Sequence, residues 1–456
     1  MQNRPIRIYI DHWEDYESIG DKAMLLNAMR RLEIELGPCT FVTPYTPTKP
    51  GAFLLPNMVP VTPPQAELLT TARRLRAISS KITNHLPLIP KDTTGKSRSD
   101  FELAERIIGV RMLLYSVGLK FVFRKAFRDF LELIKKCDVF FTVGDCSLND
   151  YWLDGVEIKS WLIDTVRKFI PICAMSSQGI GPLSTPWARQ RLSSALNKLD
   201  VLSFRDTHYS KDLVESEGLS GVQHRIVCDE AFTFPVSDPE TAWRILENAG
   251  VPRVEPFIGV NFRNTDFTQN TAFLQEKTAK LLDDTIVATK KNIVFICMSK
   301  GCDYGCDHEA GLALRNLMDH KEQFFVLDPI GEIEDVKAII GKAEYTMGIS
   351  YHLHVFSLSQ GHPTIALYTG KYYQTKLDGL LGFYGKPSIT LNIAETPNSE
   401  IINNIRILES RYSEAVAHIE KVNSKILKDN DWTIKLVKQL LTEKGILTSE
   451  ASGVKV

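Results

Sequence analysis

Two histidines sit two residues apart in a short polar run, Ser350-Tyr351-His352-Leu353-His354. Imidazole is the side chain that exchanges protons near neutral pH without a perturbed environment. Before the run, Tyr345-Thr346-Met347-Gly348-Ile349 has the pattern of a strand. After it, Val355, Phe356 and Leu358 read as a buried helix ending at Gly361. Strand, polar residues, helix is how an α/β enzyme presents reactive groups at the carboxyl end of a sheet. Locally the run has two readings, a proton-handling site or structural histidines satisfied in the core. On a strand His352 and His354 would share a face, and at a helix start they would diverge.

The elements that must position this run alternate along the chain. Ile6 to Ile10 is strand-like, followed by the loop Ser18-Ile19-Gly20-Asp21 and a helix with one apolar face (Ala23, Leu25, Leu26, Met29, Leu32, Ile34). Residues 38–100 are Pro-rich and read as irregular apart from a helix over 65–78. Gly95-Lys96-Ser97 lacks the upstream glycine and preceding strand of a phosphate loop. An amphipathic helix pair follows over 101–136. Then come strands ending at Gly144-Asp145, at Ser176-Ser177-Gln178-Gly179-Ile180-Gly181-Pro182, and before Arg205-Asp206. Four prolines mark a boundary over 236–256. A second α/β run opens with Phe257 to Phe262, ends its first strand at Arg263, and continues to Tyr368. The expectation is a Rossmann-like domain over 1–235, a linker over 236–256, a second Rossmann-like domain over 257–395 and a helical tail over 396–456. In that tail Ile405, Leu408, Tyr412, Ala415, Ile419, Val422 and Ile426 form one stripe. It suits a dimeric coiled coil or packing back across the domains.

Bulk properties narrow the classes. Lys and Arg total 54 against 55 Asp and Glu, so no global positive field draws the chain to nucleic acid. No apolar run approaches the length of a spanning helix. The start runs straight into a strand rather than a signal sequence, and the eight cysteines are scattered, several in apolar runs. A cytoplasmic chain with reduced thiols is expected. Cys302, Cys306 and His308 match no common zinc spacing, so no metal is expected.

The order of the polar strand ends resembles the polysaccharide pyruvyl transferase family. Ser18-Ile19-Gly20-Asp21-Lys22-Ala23 is similar to its opening Gly-Asp motif, and Ser177 to Leu183 to its Gly-Gln-Gly-Ile-Gly-Pro run. Phe204-Arg205-Asp206 with Ser210, Leu213 and Gly218 resembles its Arg-Asp segment. Cys228-Asp229-Glu230-Ala231-Phe232 resembles Asp-Pro-Ala-Phe, with Glu for Pro. The likeness spans most of 7–385 outside the 40–100 insert and the terminal helices. Counting back from Gly361-His362-Pro363, the family histidine falls on His352 and the family arginine on Ser350, with His354 additional.

The resemblance implies two Rossmann-like domains facing a cleft, a GT-B-like α/β fold with long C-terminal helices. It implies transfer of a pyruvyl group from phosphoenolpyruvate to a sugar of a polysaccharide or its precursor, with release of phosphate and no cofactor. The N-terminal domain would bind the acceptor and the C-terminal domain phosphoenolpyruvate. His352 is expected as general acid/base and Arg263 as an anion clamp. Lys371 and Lys376 are candidates to neutralise phosphate where Ser350 replaces arginine. Asp21, Gln178, Gly179, Ser350 and His354 are further candidate substrate contacts, Asp21 being equally readable as a helix N-cap. Arg205-Asp206 reads more readily as a structural ion pair than a catalytic pair. A lipid-linked acceptor would bring the chain to a membrane surface, and the tail would supply a homodimer seam. A nucleotide-sugar glycosyltransferase of the same fold and a non-catalytic binding protein are the alternatives.

Overall fold

The computed structural model describes residues 4–12, 16–49, 51–83, 98–144, 146–263, 271–300, 306–385 and 389–448. Two sheets carry the chain. The first contains β1 (Ile6–Asp11), β2 (Cys39–Pro44), β3 (Met58–Val61), β4 (Val139–Thr142), β5 (Ile172–Gln178), β6 (Val201–Phe204) and β7 (Gln223–Ile226). The second contains β8 (Phe257–Asn261), β9 (Asn292–Phe295), β10 (Phe324–Val326), β11 (Tyr345–Gly348), β12 (Thr364–Tyr368) and β13 (Ile389–Asn392). Their strand orders are β3-β2-β1-β4-β5-β6-β7 and β10-β9-β8-β11-β12-β13, with every pairing parallel. β4, β5, β6, β8, β9 and β11 are buried at every residue, as strands covered by helices on both faces must be.

Each sheet reverses its strand order once, between β1 and β4 and between β8 and β11. Helices leave to opposite faces at such a point, and the crevice between them is where ligands bind. The His352 run follows β11 directly, so the second switch point carries it.

The segment expected to be irregular contains two strands. Cys39–Pro44 and Met58–Val61 extend the first sheet to its edge. Pro60 masks the second of these in sequence. A proline is tolerated there because β3 is the edge strand and one side of it needs no ladder donor. Gly95-Lys96-Ser97 lies outside the described residues.

The tail is three helices, Asn398–Ser410, Tyr412–Asp429 and Trp432–Glu443. Ile405, Leu408 and Ala415 are buried against the second sheet, and Ile419 and Ile426 join a core cluster containing residues of both sheets. Asn423 Nδ2 donates to Leu358 O at 2.7 Å and its Oδ1 accepts from Tyr384 Oη at 2.8 Å. The last helix returns to the first sheet, where Thr433 Oγ1 donates to Ser203 Oγ at 2.7 Å. Five residues of the apolar stripe that suggested a dimer seam are thus buried within the chain, with Tyr412 and Val422 half-buried.

Candidate active site

The two switch points meet. Ile19 N donates to Met298 O at 3.0 Å, Lys300 N to Glu17 O at 3.2 Å, and Thr207 N to Gly379 O at 3.3 Å. Across this junction His352, in the first turn of helix Tyr351–Ser359, rests on Gly20 at the start of helix Ile19–Leu36. A Cβ at Gly20 would lie 1.8 Å from His352 Nδ1, so only glycine admits the ring. Gly20→Ala is expected to displace the imidazole and, if His352 handles a proton in turnover, to slow it about 100-fold. The same change costs about 1–3 kcal/mol of stability. Parallel activity and urea-denaturation measurements check both.

His352 Nε2 is buried without a hydrogen-bond partner among the described residues. It lies 4.0 Å from Asp229 Oδ2, too far for a hydrogen bond. Asp229 Oδ1 accepts from Ala231 N at 2.8 Å, and its other oxygen pairs with Arg205. The buried Arg205 guanidinium stands 4.9 Å over the Tyr351 ring. Lys337 braces this segment from below, donating to Phe232 O and Phe234 O at 2.7 Å each. Burial brings its ammonium down to about 7.

From the facing domain comes Cys146, just beyond β4. Lys376 Nζ donates to Cys146 Sγ at 3.2 Å and to Tyr372 Oη at 3.3 Å, and Cys146 Sγ and Tyr372 Oη are 2.8 Å apart. The ammonium also lies 5.3 Å from the Tyr351 ring centroid. Tyr372 contacts Tyr151 and Trp152 edge-on, with ring centroids 5.7 and 5.1 Å away. Burial holds the Tyr351 and Tyr372 hydroxyls well above their ordinary range, so both remain protonated.

Electrostatics make the His352 ring neutral. Burial lowers its pKa to about 3, opposed by Asp229 and assisted by Arg205, Lys376 and Arg263. Desolvation penalises the imidazolium, and the three nearby cations repel its charge.

His354 differs entirely. It is fully buried, Nε2 donates to Gly348 O at 2.9 Å, and Nδ1 meets Thr364 Oγ1 at 2.5 Å. Both nitrogens are occupied within the protein, so His354 clamps β11 and β12 and presents no surface to a substrate. Burial takes its pKa to about 4. Its folded-state pKa is below the unfolded value of about 6.5. The unfolded chain therefore gains a proton first as pH falls. The stability contribution is complete above about pH 6.5 and is lost towards pH 4. At pH 5 this loss is about 2 kcal/mol. His354→Gln lacks it, so urea curves at pH 7 and pH 5 should show the wild-type advantage shrinking by about that amount.

The remaining candidates divide. Lys376 is at the centre. Lys371 is exposed and turned towards Gln374 Oε1 at 3.4 Å, outside the cluster. Arg263 lies two residues beyond β8, with Nε 3.1 Å from Asp307 Oδ1, while Asp307 Oδ2 accepts from Met298 N and Ser299 N. Ser350 is the buried N-cap residue of the His352 helix and makes no side-chain capping bond. Asp21 is in the first turn of its helix and is not the N-cap. Ser18 fills that place, its Oγ accepting from Asp21 N at 3.3 Å. Gln178 is buried at the end of β5, its amide donating to Ser176 O at 2.9 Å and its Oε1 without a hydrogen-bond partner among the described residues. Gly179 follows it, half-buried.

Arg205 corrects the sequence-based pairing. Its partner is Asp229, while Asp206 accepts from Ser210 N at 2.9 Å at the start of the next helix. Cys146 and Tyr372 were missed. The signals for them were a thiol two residues beyond the strand-end Gly144 and a tyrosine one turn before Lys376. Among the described residues no group of three or more His, Cys, Asp or Glu could hold a metal ion.

Two parallel sheets of Rossmann strand order, with facing switch points and returning C-terminal helices, define a GT-B-like two-domain α/β protein. Solved structures of that class share the fold. Os79 of O. sativa matches with a TM-score of 0.55 and 11% identity over 95% of this chain and 100% of its own. S. aureus MnaA in its UDP co-structure matches at 0.53 and 12% identity over 99% and 100%. No curated protein matches the chain. Residues 58–371 match the polysaccharide pyruvyl transferase family, and the chain belongs to it. The match contains His352, Arg205, Asp229, Arg263, Cys146 and Lys371, while Gly20, Tyr372 and Lys376 lie outside it.

Proposed function

We propose that this chain transfers a pyruvyl group from phosphoenolpyruvate to a sugar of a polysaccharide or its precursor, forming a pyruvate ketal and releasing phosphate. The observation that carries this reading is a neutral, unpartnered imidazole nitrogen surrounded by the field of Arg205, Lys376 and Arg263. Such a site suits a substrate with two anionic groups beside a carbon that must be protonated. Arg205 and Lys376 supply the positive charge that Ser350 does not. Arg263 lies at the same carboxyl end of the sheet, just beyond β8, the parallel neighbour of β11.

In this mechanism the anions of the donor offset the three cations and raise the proton affinity of His352. Its Nε2 takes the proton of the first sugar hydroxyl and delivers it to the methylene carbon, making the methyl group. The sugar oxygens bond to the adjacent carbon, the carbon–oxygen bond to phosphate breaks, and the second hydroxyl proton leaves on phosphate. Two hydroxyl hydrogens are thus shared between methyl group and phosphate, with no redox change. The first domain would hold the acceptor and the second phosphoenolpyruvate.

The test is to incubate the protein with phosphoenolpyruvate and glycan acceptors, and separately with nucleotide sugars. Phosphate released in an acceptor-dependent manner supports the proposal. Nucleotide release instead would assign a glycosyltransferase, and failure to bind phosphoenolpyruvate by calorimetry a non-catalytic protein.

A further inference from the structure

Helix Arg98–Ser116 is apolar on two opposite faces. Phe101, Ala104, Ile108 and Tyr115 are buried in the core of the first domain. With 3.6 residues per turn, Leu103, Val110, Leu113, Leu114 and the following Val117 fall within an arc of roughly 100° on the other side, which also holds the exposed Arg106. Val110 is 59%, Leu113 67% and Val117 70% exposed. The chain then turns at Gly118, whose φ is 98°, and presents Phe121 at 78% exposure. A surface helix ordinarily has one apolar stripe. A contiguous second stripe open to water marks a contact with a partner or a membrane.

The charge around this stripe identifies the partner. Residues 117–128 carry Lys120, Arg124, Lys125 and Arg128 and no carboxylate, in a chain whose net charge is −1. Lys120, Arg124 and Lys125 are exposed, and Arg128 is half-buried. Lys125 pairs with Asp129 at 2.8 Å, and Arg128 donates to Lys120 O at 3.3 Å. A second copy docked through a two-fold axis would set these like charges against each other. An anionic lipid surface would meet both features, with phosphates against the cations and the headgroup–acyl boundary against Phe121 and the stripe.

We propose that this face seats the protein on an anionic bilayer surface. The inference goes beyond the cleft chemistry and stands without it. Among the described residues no helix is long and apolar enough to cross a membrane, so the contact is peripheral.

Sedimentation of the full chain with vesicles tests this. Phosphatidylcholine vesicles containing phosphatidylglycerol should bind it, with affinity falling at high salt, and phosphatidylcholine alone should bind about tenfold more weakly. A Leu113→Asp, Val117→Asp, Phe121→Asp triple variant should lose at least about tenfold in binding. A Lys120→Glu, Arg124→Glu, Lys125→Glu variant should lose the preference for phosphatidylglycerol. These positions are exposed, and unchanged thermal unfolding would verify that both variants fold. No vesicle binding by the wild type, or binding unaltered in both variants, would overturn the proposal. So would a wild-type dimer that the aspartate variant dissolves, which would assign the face to a second copy.

Discussion

His352→Ala is expected to slow transfer from phosphoenolpyruvate about 10²–10⁴-fold, the range for loss of a positioned proton donor and acceptor. The effect should fall on kcat, with phosphoenolpyruvate affinity little changed, because the proposed anion-binding charge is that of Arg205, Lys376 and Arg263. The fold should be retained: a neutral ring without a hydrogen bond at Nε2 contributes packing against Gly20 and little else. Steady-state kinetics with a calorimetric titration of phosphoenolpyruvate would check this. Near-normal transfer by the variant would remove His352 from the chemistry.

Arg205→Met is expected to have the largest effect on the whole molecule. Arg205 is buried, and its loss leaves the Asp229 carboxylate buried without its cation. Breaking one side of a buried pair costs about 3–5 kcal/mol. Lysine is not an adequate substitute, because it lacks the planar guanidinium that stands over Tyr351. Stability and function can be separated. Arg205→Met with Asp229→Asn removes the uncompensated charge and should recover most of the stability, yet still bind phosphoenolpyruvate poorly. Recovery of both would show that Arg205 serves the fold alone.

The architecture was largely legible because parallel strands buried on both faces write themselves as short apolar runs, and their polar ends punctuate the sequence. β3 escaped because four residues with a central proline do not look like a strand until the neighbouring edge is known. The single tail stripe was visible, but its division at Arg411 and its burial against both sheets depend on contacts hundreds of residues away. In the candidate site, spacing to Gly361 and Pro363 singles out His352, and the fold places it on Gly20 at the junction of the two sheets' switch points. His354 was visible as a histidine but not as a clamp, since Thr364 and Gly348 O satisfy it only after β11 and β12 pair. Arg205 was assigned to its sequence neighbour Asp206, whereas the fold gives it Asp229, 24 residues away. Gly20 was read as part of a motif. That it makes room for an imidazole 332 residues distant is a property of the assembled cleft.

In the proposed reaction a proton passes to the methylene of phosphoenolpyruvate while a sugar takes its pyruvyl carbon. Transfer carried out in deuterium oxide, with mass spectrometry of the pyruvylated glycan, tests it directly. The expected result is one solvent-derived deuterium in the new methyl group, phosphate released in equal amount, and both lost in His352→Ala. A product whose methylene carbon has gained no solvent hydrogen, or a glycan extended with release of nucleotide while phosphoenolpyruvate is untouched, would contradict it.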